Sequence, residues 1–156
     1  MIWILIVILG VGLDQWTKYW AVSELAVRGD MAVIDPLIYF RYHVNTGAAW
    51  SFLADKSWGI YVLSGVSLIA SIAFLLILLK LKDARLRFCL SLVLAGSIGN
   101  LIDRVWRGGV VDFISFQFGD YFFPIFNVAD TLLVIGLILG LIFIIFTDSR
   151  HAFEEI

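Results

Sequence analysis

Charged and amide side chains interrupt the apolar segments of this chain, and they are the residues that could do chemistry. Each charge placed within a transmembrane helix costs about 2.5–3.5 kcal/mol on insertion scales, so each requires a partner or a function. The ionisable residues concerned are Asp14, Lys18, Asp103, Arg104 and Asp130. Spacings of three or four residues put side chains on one helix face, as in the groups Asn100, Asp103 and Arg104; Asn127 and Asp130; and Asp14 and Lys18.

Within a cluster of carboxylates and amides, two carboxyl groups that share one proton can catalyse the hydrolysis of a peptide bond. One carboxylate activates a water molecule, while the other, kept protonated, polarises the carbonyl group. The histidine spacing of a helical zinc protease is absent, so no metal is predicted. Structural ion pairs, between Asp14 and Lys18 or between Asp103 and Arg104, explain these residues equally well. Asp130 has no basic residue within a turn. A proton relay or an ion path would use the same residues.

The composition indicates that these residues lie in a membrane. Of the 156 residues 62% are hydrophobic and 15% charged, and the mean hydropathy is +0.98. A soluble domain has an apolar share of roughly 45–50%. The net charge of −2 argues against a nucleic-acid partner, because phosphate binding requires a basic surface. Cys89 is the single cysteine, which excludes an intramolecular disulfide and a thiolate cluster.

Four apolar segments are predicted to span the membrane within one domain, residues 1–156. They cover residues 2–22, 58–79, 88–104 and 122–146. A short basic loop beside a span marks the cytoplasmic side. This loop contains Lys80, Lys82, Arg85 and Arg87. Both termini should then be cytoplasmic, and the polar residues gather in the outer half of the membrane.

The two outer segments, residues 23–57 and 105–121, contain strand patterns. Residues 38–45 alternate between apolar and polar side chains, with Gly29 and Asp30 as a possible hairpin turn before them. Residues 116–123 form an aromatic hairpin candidate around Gly119 and Asp120. The predicted fold is therefore an all-α membrane protein of four transmembrane helices with a small extracytoplasmic β-strand cradle. Small residues of the third span, Gly96, Ser97 and Gly99, suit close helix packing.

Five short segments, in order, carry a resemblance to a known family. They are Asp14-Gln15-Trp16-Thr17-Lys18, Asn45-Thr46-Gly47-Ala48-Ala49-Trp50-Ser51, Gly99-Asn100-Leu101-Ile102-Asp103-Arg104, Val110-Val111-Asp112-Phe113 and Phe126-Asn127-Val128-Ala129-Asp130. Over nearly its whole length the chain resembles the bacterial type II (lipoprotein) signal peptidases. Trp50 stands where the family more often has Phe, which is a conservative change.

The resemblance implies an intramembrane aspartyl endopeptidase that cleaves prolipoproteins before a diacylglyceryl-modified cysteine. Asp112 and Asp130 would be the catalytic pair. The residues implied to bind substrate or orient the pair are Asp14, Lys18, Asn45, Gly47, Asn100, Asp103, Arg104, Asn127 and Ala129. No metal or cofactor is implied. The enzyme would be a monomer in the bacterial cytoplasmic (inner) membrane, in contact with lipid, with its active site near the outer face.

Two other functions fit parts of the pattern. A small proton- or ion-coupled transporter subunit could use Asp14, Lys18, Asp103 and Asp130 as a relay, although a relay should span the membrane. A non-catalytic adaptor would explain the spans but not the Asn and Asp positions. By residue chemistry alone Asp103 and Asp112 both qualify as the partner of Asp130. Arg104 should neutralise Asp103, which favours Asp112. His43 and His151 are interpreted as surface residues.

Overall fold

Four long apolar helices dominate the computed structural model, which describes residues 1–47 and 58–146. Helix α1, Ile2–Trp20, continues through a π-helical segment, Ala21–Leu25, into the short α2, Ala26–Arg28. The others are α3, Gly59–Lys80; α4, Ala84–Arg107; and α5, Val128–Phe146. Each of the four is long and apolar enough to cross a membrane, so the four predicted spans are confirmed within the described residues.

Two of the predicted helix starts are wrong. Helix α4 begins at Ala84 rather than at residue 88, because Asp83 caps it. The Asp83 Oδ1 accepts hydrogen bonds from the backbone N–H groups of Arg85 and Leu86, at 2.8 and 3.0 Å. The Arg85 guanidinium, which donates to the Asp83 carboxylate, lowers the pKa of Asp83 to about 2, and the two backbone bonds add to the decrease. Helix α5 begins at Val128 rather than at residue 122, because the chain first completes a strand.

A four-stranded antiparallel sheet, in the order β1-β2-β3-β4, covers one end of the helices. Its strands are β1, Met31–Ile34; β2, Ile38–Asn45; β3, Val110–Phe118; and β4, Tyr121–Phe122. The predicted strand 38–45 and the hairpin at Gly119, whose φ is 61°, are confirmed. Gly29 and Asp30 do not turn a hairpin but join α2 to β1, and residues 35–37 make the turn.

Aromatic contacts fix which elements lie at each end of the bundle. At the sheet end Trp20 packs edge-to-face against Phe40 and Phe113, with ring centroids 5.3 and 6.2 Å apart. At the basic end the Arg87 guanidinium lies 5.3 Å from the Trp3 ring. The sheet and the basic loop are therefore at opposite ends. Residues 48–57 of the first outer segment, with Trp50, and residues 147–156, with His151, lie outside the described residues.

Helix α4 is the centre of the bundle, since it packs against α1, α3 and α5. The predicted role of its small residues is confirmed. A Cβ built on Gly96 would collide with the Ala129 carbonyl oxygen and come within 2.8 Å of the Leu133 Cγ. At Gly99 a Cβ would come within 2.5 Å of the Asp14 Oδ2. The Ser97 hydroxyl is hydrogen-bonded to that of Ser71, at 2.8 Å, which ties α4 to α3.

We predict that Gly96→Ala lowers the free energy of unfolding by about 1–3 kcal/mol, because the methyl group must displace the α5 backbone. The matched control is Gly65→Ala on α3, where a Cβ meets nothing within 4 Å. Gly65→Ala should leave stability unchanged or raise it by up to about 1 kcal/mol. Thermal unfolding of the two purified variants in detergent measures the difference, and equal unfolding temperatures would contradict the packing described for α4 and α5.

Candidate active site

A buried ammonium group lies at the base of the polar layer. The Lys18 Nζ is hydrogen-bonded to the Asp14 Oδ2 at 3.0 Å, the Asp103 Oδ2 at 3.1 Å and the Asn100 Oδ1 at 3.0 Å. Lys18, Asp14 and Asp103 are completely buried. An ammonium has three donors, and here each has an acceptor. The Asp14–Lys18 pair expected from the sequence is present, and it is part of a network joining α1 to α4.

Asp103 is neutralised as expected, but by other cations than the one expected. Its partners are Lys18 and Arg107, one turn further along α4, rather than its chain neighbour Arg104. Its Oδ2 also accepts a hydrogen bond from the Val111 backbone N–H, at 2.9 Å. Helical geometry explains the correction, because consecutive residues point about 100° apart while residues four apart share a face. Asp103 therefore fixes the start of β3.

Asn127 organises the first turn of α5. Its Oδ1 accepts a hydrogen bond from the Asp130 N–H at 2.9 Å, and the Asp130 Oδ2 accepts one from the Asn127 N–H at 3.3 Å. This is the reciprocal pattern of a capping box. The Ala129 N–H, also in this first turn, donates to the Asp14 Oδ1 at 2.9 Å. The start of α5 is thus held by its own cap and by a carboxylate of α1.

Asp112, on β3, is 2% exposed and lies among amide donors. Its Oδ1 accepts a hydrogen bond from the Asn127 Nδ2 at 2.6 Å, and its Oδ2 accepts one from the Asn45 Nδ2 at 3.3 Å. Burial raises the pKa of Asp112 to about 7, the negative charge of Asp130 adds to the increase, and the two amide bonds oppose it. Asp130 accepts a hydrogen bond from the Asn100 Nδ2 at 2.7 Å.

A cavity of about 440 Å³ opens over this layer, and both Asp112 and Asp130 line it. Of the other residues predicted for the site, Asn45, Asn100 and Arg104 also line it. The remaining ones are buried and do not line the cavity: Asp14, Lys18, Gly47, Asp103, Asn127 and Ala129. The Gly47 N–H donates a hydrogen bond to the Asn45 Oδ1 at 2.9 Å, which connects Gly47 to the site.

Some site residues were not anticipated from the sequence. His43 is exposed, as expected, but it also lines the cavity and is in register with Asp112 across β2 and β3. Side chains alternate along β2, so His43 and Asn45 lie on the same side of the strand. This alternation is the sequence signal that could have placed His43 near the site. Residues 123–126 form an apolar part of the cavity wall, whereas the sequence predicts them within the fourth span. Arg107 could have been found from its spacing of four residues from Asp103.

The arrangement brings together two carboxyl groups, one buried enough to hold a proton near neutral pH, and amide donors that position both. The guanidinium of Arg104 and apolar side chains complete the wall. Within residues 1–47 and 58–146 no group of three or more His, Cys, Asp or Glu side chains is placed to hold a metal ion. Independence of metals and cofactors stays a prediction.

Comparisons with known proteins point to one family. The model of the family described as signal peptidase (SPase) II matches residues 6–146. The lipoprotein signal peptidase of Clostridium tetani is 42% identical over 147 residues, which cover 94% of each chain. That of Bacillus pumilus is 43% identical over 139 residues, 89% of each chain.

A solved structure described as a bacterial membrane enzyme superposes with a TM-score of 0.80 at 35% identity, covering 99% of this chain and 93% of that one. The transporter alternative finds no support in these comparisons.

Proposed function

This chain belongs to the signal peptidase II family, and from that premise we propose that it removes the signal peptide from prolipoproteins by aspartic protease chemistry. The observation that carries the aspartic assignment is the side chain of Asn127. Its side-chain NH₂ group donates to the Asp112 carboxylate and its backbone N–H donates to the Asp130 carboxylate, so one residue holds both carboxyl groups at one cavity. Its side-chain oxygen accepts a hydrogen bond from the Asp130 backbone N–H. The cleavage site would be the bond before a diacylglyceryl-modified cysteine.

The environments of the two carboxyl groups assign their roles. Asp112, with its raised pKa, is the protonated member and donates its proton to the oxygen of the scissile carbonyl. Asp130 is the general base in this proposal and accepts the proton of the attacking water as the water oxygen bonds to the carbonyl carbon. When the resulting tetrahedral intermediate collapses, Asp130 passes that proton to the leaving nitrogen. Asp112 recovers its own proton as the carbonyl forms again.

Asp103 is unsuited to share a proton with Asp130. It lies against the ammonium of Lys18 and the guanidinium of Arg107, and it also binds the Val111 N–H. Both of its oxygens are therefore already bound by donors. Asp103 is completely buried and is not among the residues that line the cavity. Its role in this proposal is to position β3, and with it Asp112.

The position of the cavity suits a lipid-anchored substrate. It lies at the sheet end of a bundle of four membrane-spanning helices, opposite the basic loop. The positive-inside rule places that loop in the cytoplasm, with both termini, and hence the cavity and the sheet near the outer face of the bacterial inner membrane. Acyl chains would hold the modified cysteine at that depth and raise its effective concentration. The proposed enzyme acts as a monomer.

Asp112→Asn and Asp130→Asn should each lower turnover by at least about a hundredfold while the protein still folds, since an amide keeps the shape but cannot transfer the proton. Asp103→Asn is the matched control. It should lower the yield or the unfolding temperature yet retain turnover per folded molecule. The measurement is release of the shortened product from a lipid-modified prolipoprotein, normalised to folded enzyme. Activity in folded Asp112→Asn, with folded Asp103→Asn inactive, would make Asp103 the partner of Asp130.

The pKa of Asp112, about 7, sets the expected pH dependence. Asp112 is protonated below that pH and ionised above it, so kcat/KM should fall as the pH rises through about 7. An infrared titration gives an independent readout: the protonated-carboxyl band should disappear over the same range in wild type and be absent from Asp112→Asn. A rate that rises through pH 7, or a band that persists in Asp112→Asn, would contradict the assigned roles.

A further inference from the structure

An extended segment, residues 123–126, continues β4 along the side of β3 that faces away from β2. The Phe123 N–H donates a hydrogen bond to the Phe116 carbonyl oxygen at 2.9 Å. The Phe126 N–H donates to the Ile114 carbonyl oxygen at 3.1 Å, and the Phe126 carbonyl oxygen accepts from the Ile114 N–H at 2.8 Å. One edge of this segment is therefore bound to β3, and its other edge is the end of the sheet.

The outer edge of this segment has backbone groups without partners. Successive residues of a strand direct their N–H and C=O groups to opposite edges, so those of Ile125 point away from β3 because those of Phe126 point toward it. Among the described residues, the Ile125 N–H binds no acceptor and its carbonyl oxygen accepts no hydrogen bond. Phe123 and Pro124 are exposed, so a ligand can reach this edge. An open sheet edge is a template on which an extended peptide adds as a further strand.

The open edge lies at the candidate active site. Residues 123–126 line the same cavity as the carboxyl groups of Asp112 and Asp130. Ile125 precedes Asn127 by two residues, so their Cα atoms are at most about 7 Å apart. Asn127 in turn donates hydrogen bonds to both carboxylates. A peptide paired with Ile125 is therefore held beside the two groups assigned to cleave it.

The cavity wall below the edge indicates which part of the substrate pairs with it. Leu133 and Val134 line the cavity and lie further along α5 than Asp130, so they continue the apolar wall toward the middle of the membrane. In a prolipoprotein the apolar region that precedes the cleavage site belongs to the signal peptide. The acyl chains are also apolar, but they have no N–H groups and cannot extend a sheet. The signal peptide is therefore the part that fits both the apolar wall and the edge above it.

We propose that the last residues of the signal peptide, before the scissile bond, add to the sheet as a strand paired with Ile125. The Ile125 N–H donates to the carbonyl oxygen of one signal-peptide residue, and the Ile125 carbonyl oxygen accepts from the N–H of the same residue. Because these bonds involve no side chain, the enzyme recognises the backbone of the signal peptide at this position. The assignment rests on the proposed function, since it takes a prolipoprotein as the substrate.

An ester scan of the substrate tests the pairing with the wild-type enzyme. A diacylglyceryl-modified prolipoprotein peptide is synthesised with each backbone N–H on either side of the scissile bond replaced, one at a time, by an ester oxygen. One position before the scissile bond should be sensitive and the positions beside it should not, because neighbouring residues of a strand face opposite edges. At the sensitive position kcat/KM should fall roughly three- to tenfold, the effect of one hydrogen bond. Equal effects at adjacent positions, no sensitive position, or sensitivity confined to the residues after the scissile bond would overturn the proposal.

Removal of the donor on the enzyme gives a second readout. Ile125→Pro has no N–H at this position and should raise KM for the all-amide peptide roughly three- to tenfold while kcat is retained. The matched control is Val33→Pro on β1, at the opposite edge of the sheet, which should change neither quantity per folded molecule. A folded Ile125→Pro protein with the KM of wild type would overturn the proposal, and the ester scan decides the matter if this variant does not fold.

Binding measurements separate the pairing from the proposed function. The affinities of the same ester peptides for Asp112→Asn, which should not cleave them, should show the same single sensitive position. Position-dependent binding without any cleavage by wild type would support the pairing and contradict the proposed function. Cleavage by wild type that is equally fast for every ester peptide would leave the proposed function intact and overturn the pairing.

Discussion

The ammonium of Lys18 is buried among three acceptors, and the orientation of the polar layer follows from it. A buried cation is strongly destabilising unless it is fully paired, so the positions of Asp14, Asp103 and Asn100 around it are tightly constrained. Asn100 must turn its carbonyl oxygen toward Lys18. Its NH₂ group then points the other way, toward the Asp130 carboxylate. The positive charge of Lys18 on α1 thereby determines that the NH₂ group of Asn100 on α4 faces α5.

The orientation of the Asn127 side-chain amide is determined in the same way. Asn127 uses its carbonyl oxygen to cap the N–H of Asp130, which leaves its NH₂ group to face Asp112. Asp103, held by Lys18, binds the Val111 N–H and so places Asp112 at the mouth of the bundle. These contacts require a close approach of the helices, which leaves no room for a larger side chain at Gly96, against α5, or at Gly99, against Asp14 of α1. Packing and hydrogen bonding therefore specify the same arrangement.

Local sequence patterns predict most of the helices and strands, whereas the contacts between these elements are visible only in the structure. Apolar length predicts the four spans, and alternation predicts β2, because both signals lie within one segment. The start of α4 was readable from Asp83 as a cap, but the basic residues after it suggested a loop instead. That Asp112 and Asp130 line the same cavity depends on how β3 packs against the ends of α1 and α4, which no periodicity encodes. The position of His43 at the cavity depends in the same way on its register with Asp112.

The central claim is that Lys18 orients the polar layer, and Lys18→Met tests it most directly. This variant keeps a long apolar stem but leaves the carboxylates of Asp14 and Asp103 without their shared cation. The account predicts a loss of about 3–5 kcal/mol in the free energy of unfolding, together with a loss of cleavage per folded molecule. Arg28→Met, which removes an exposed cation paired with Glu24, should change neither quantity. A Lys18→Met protein as stable and as active as wild type would contradict the account.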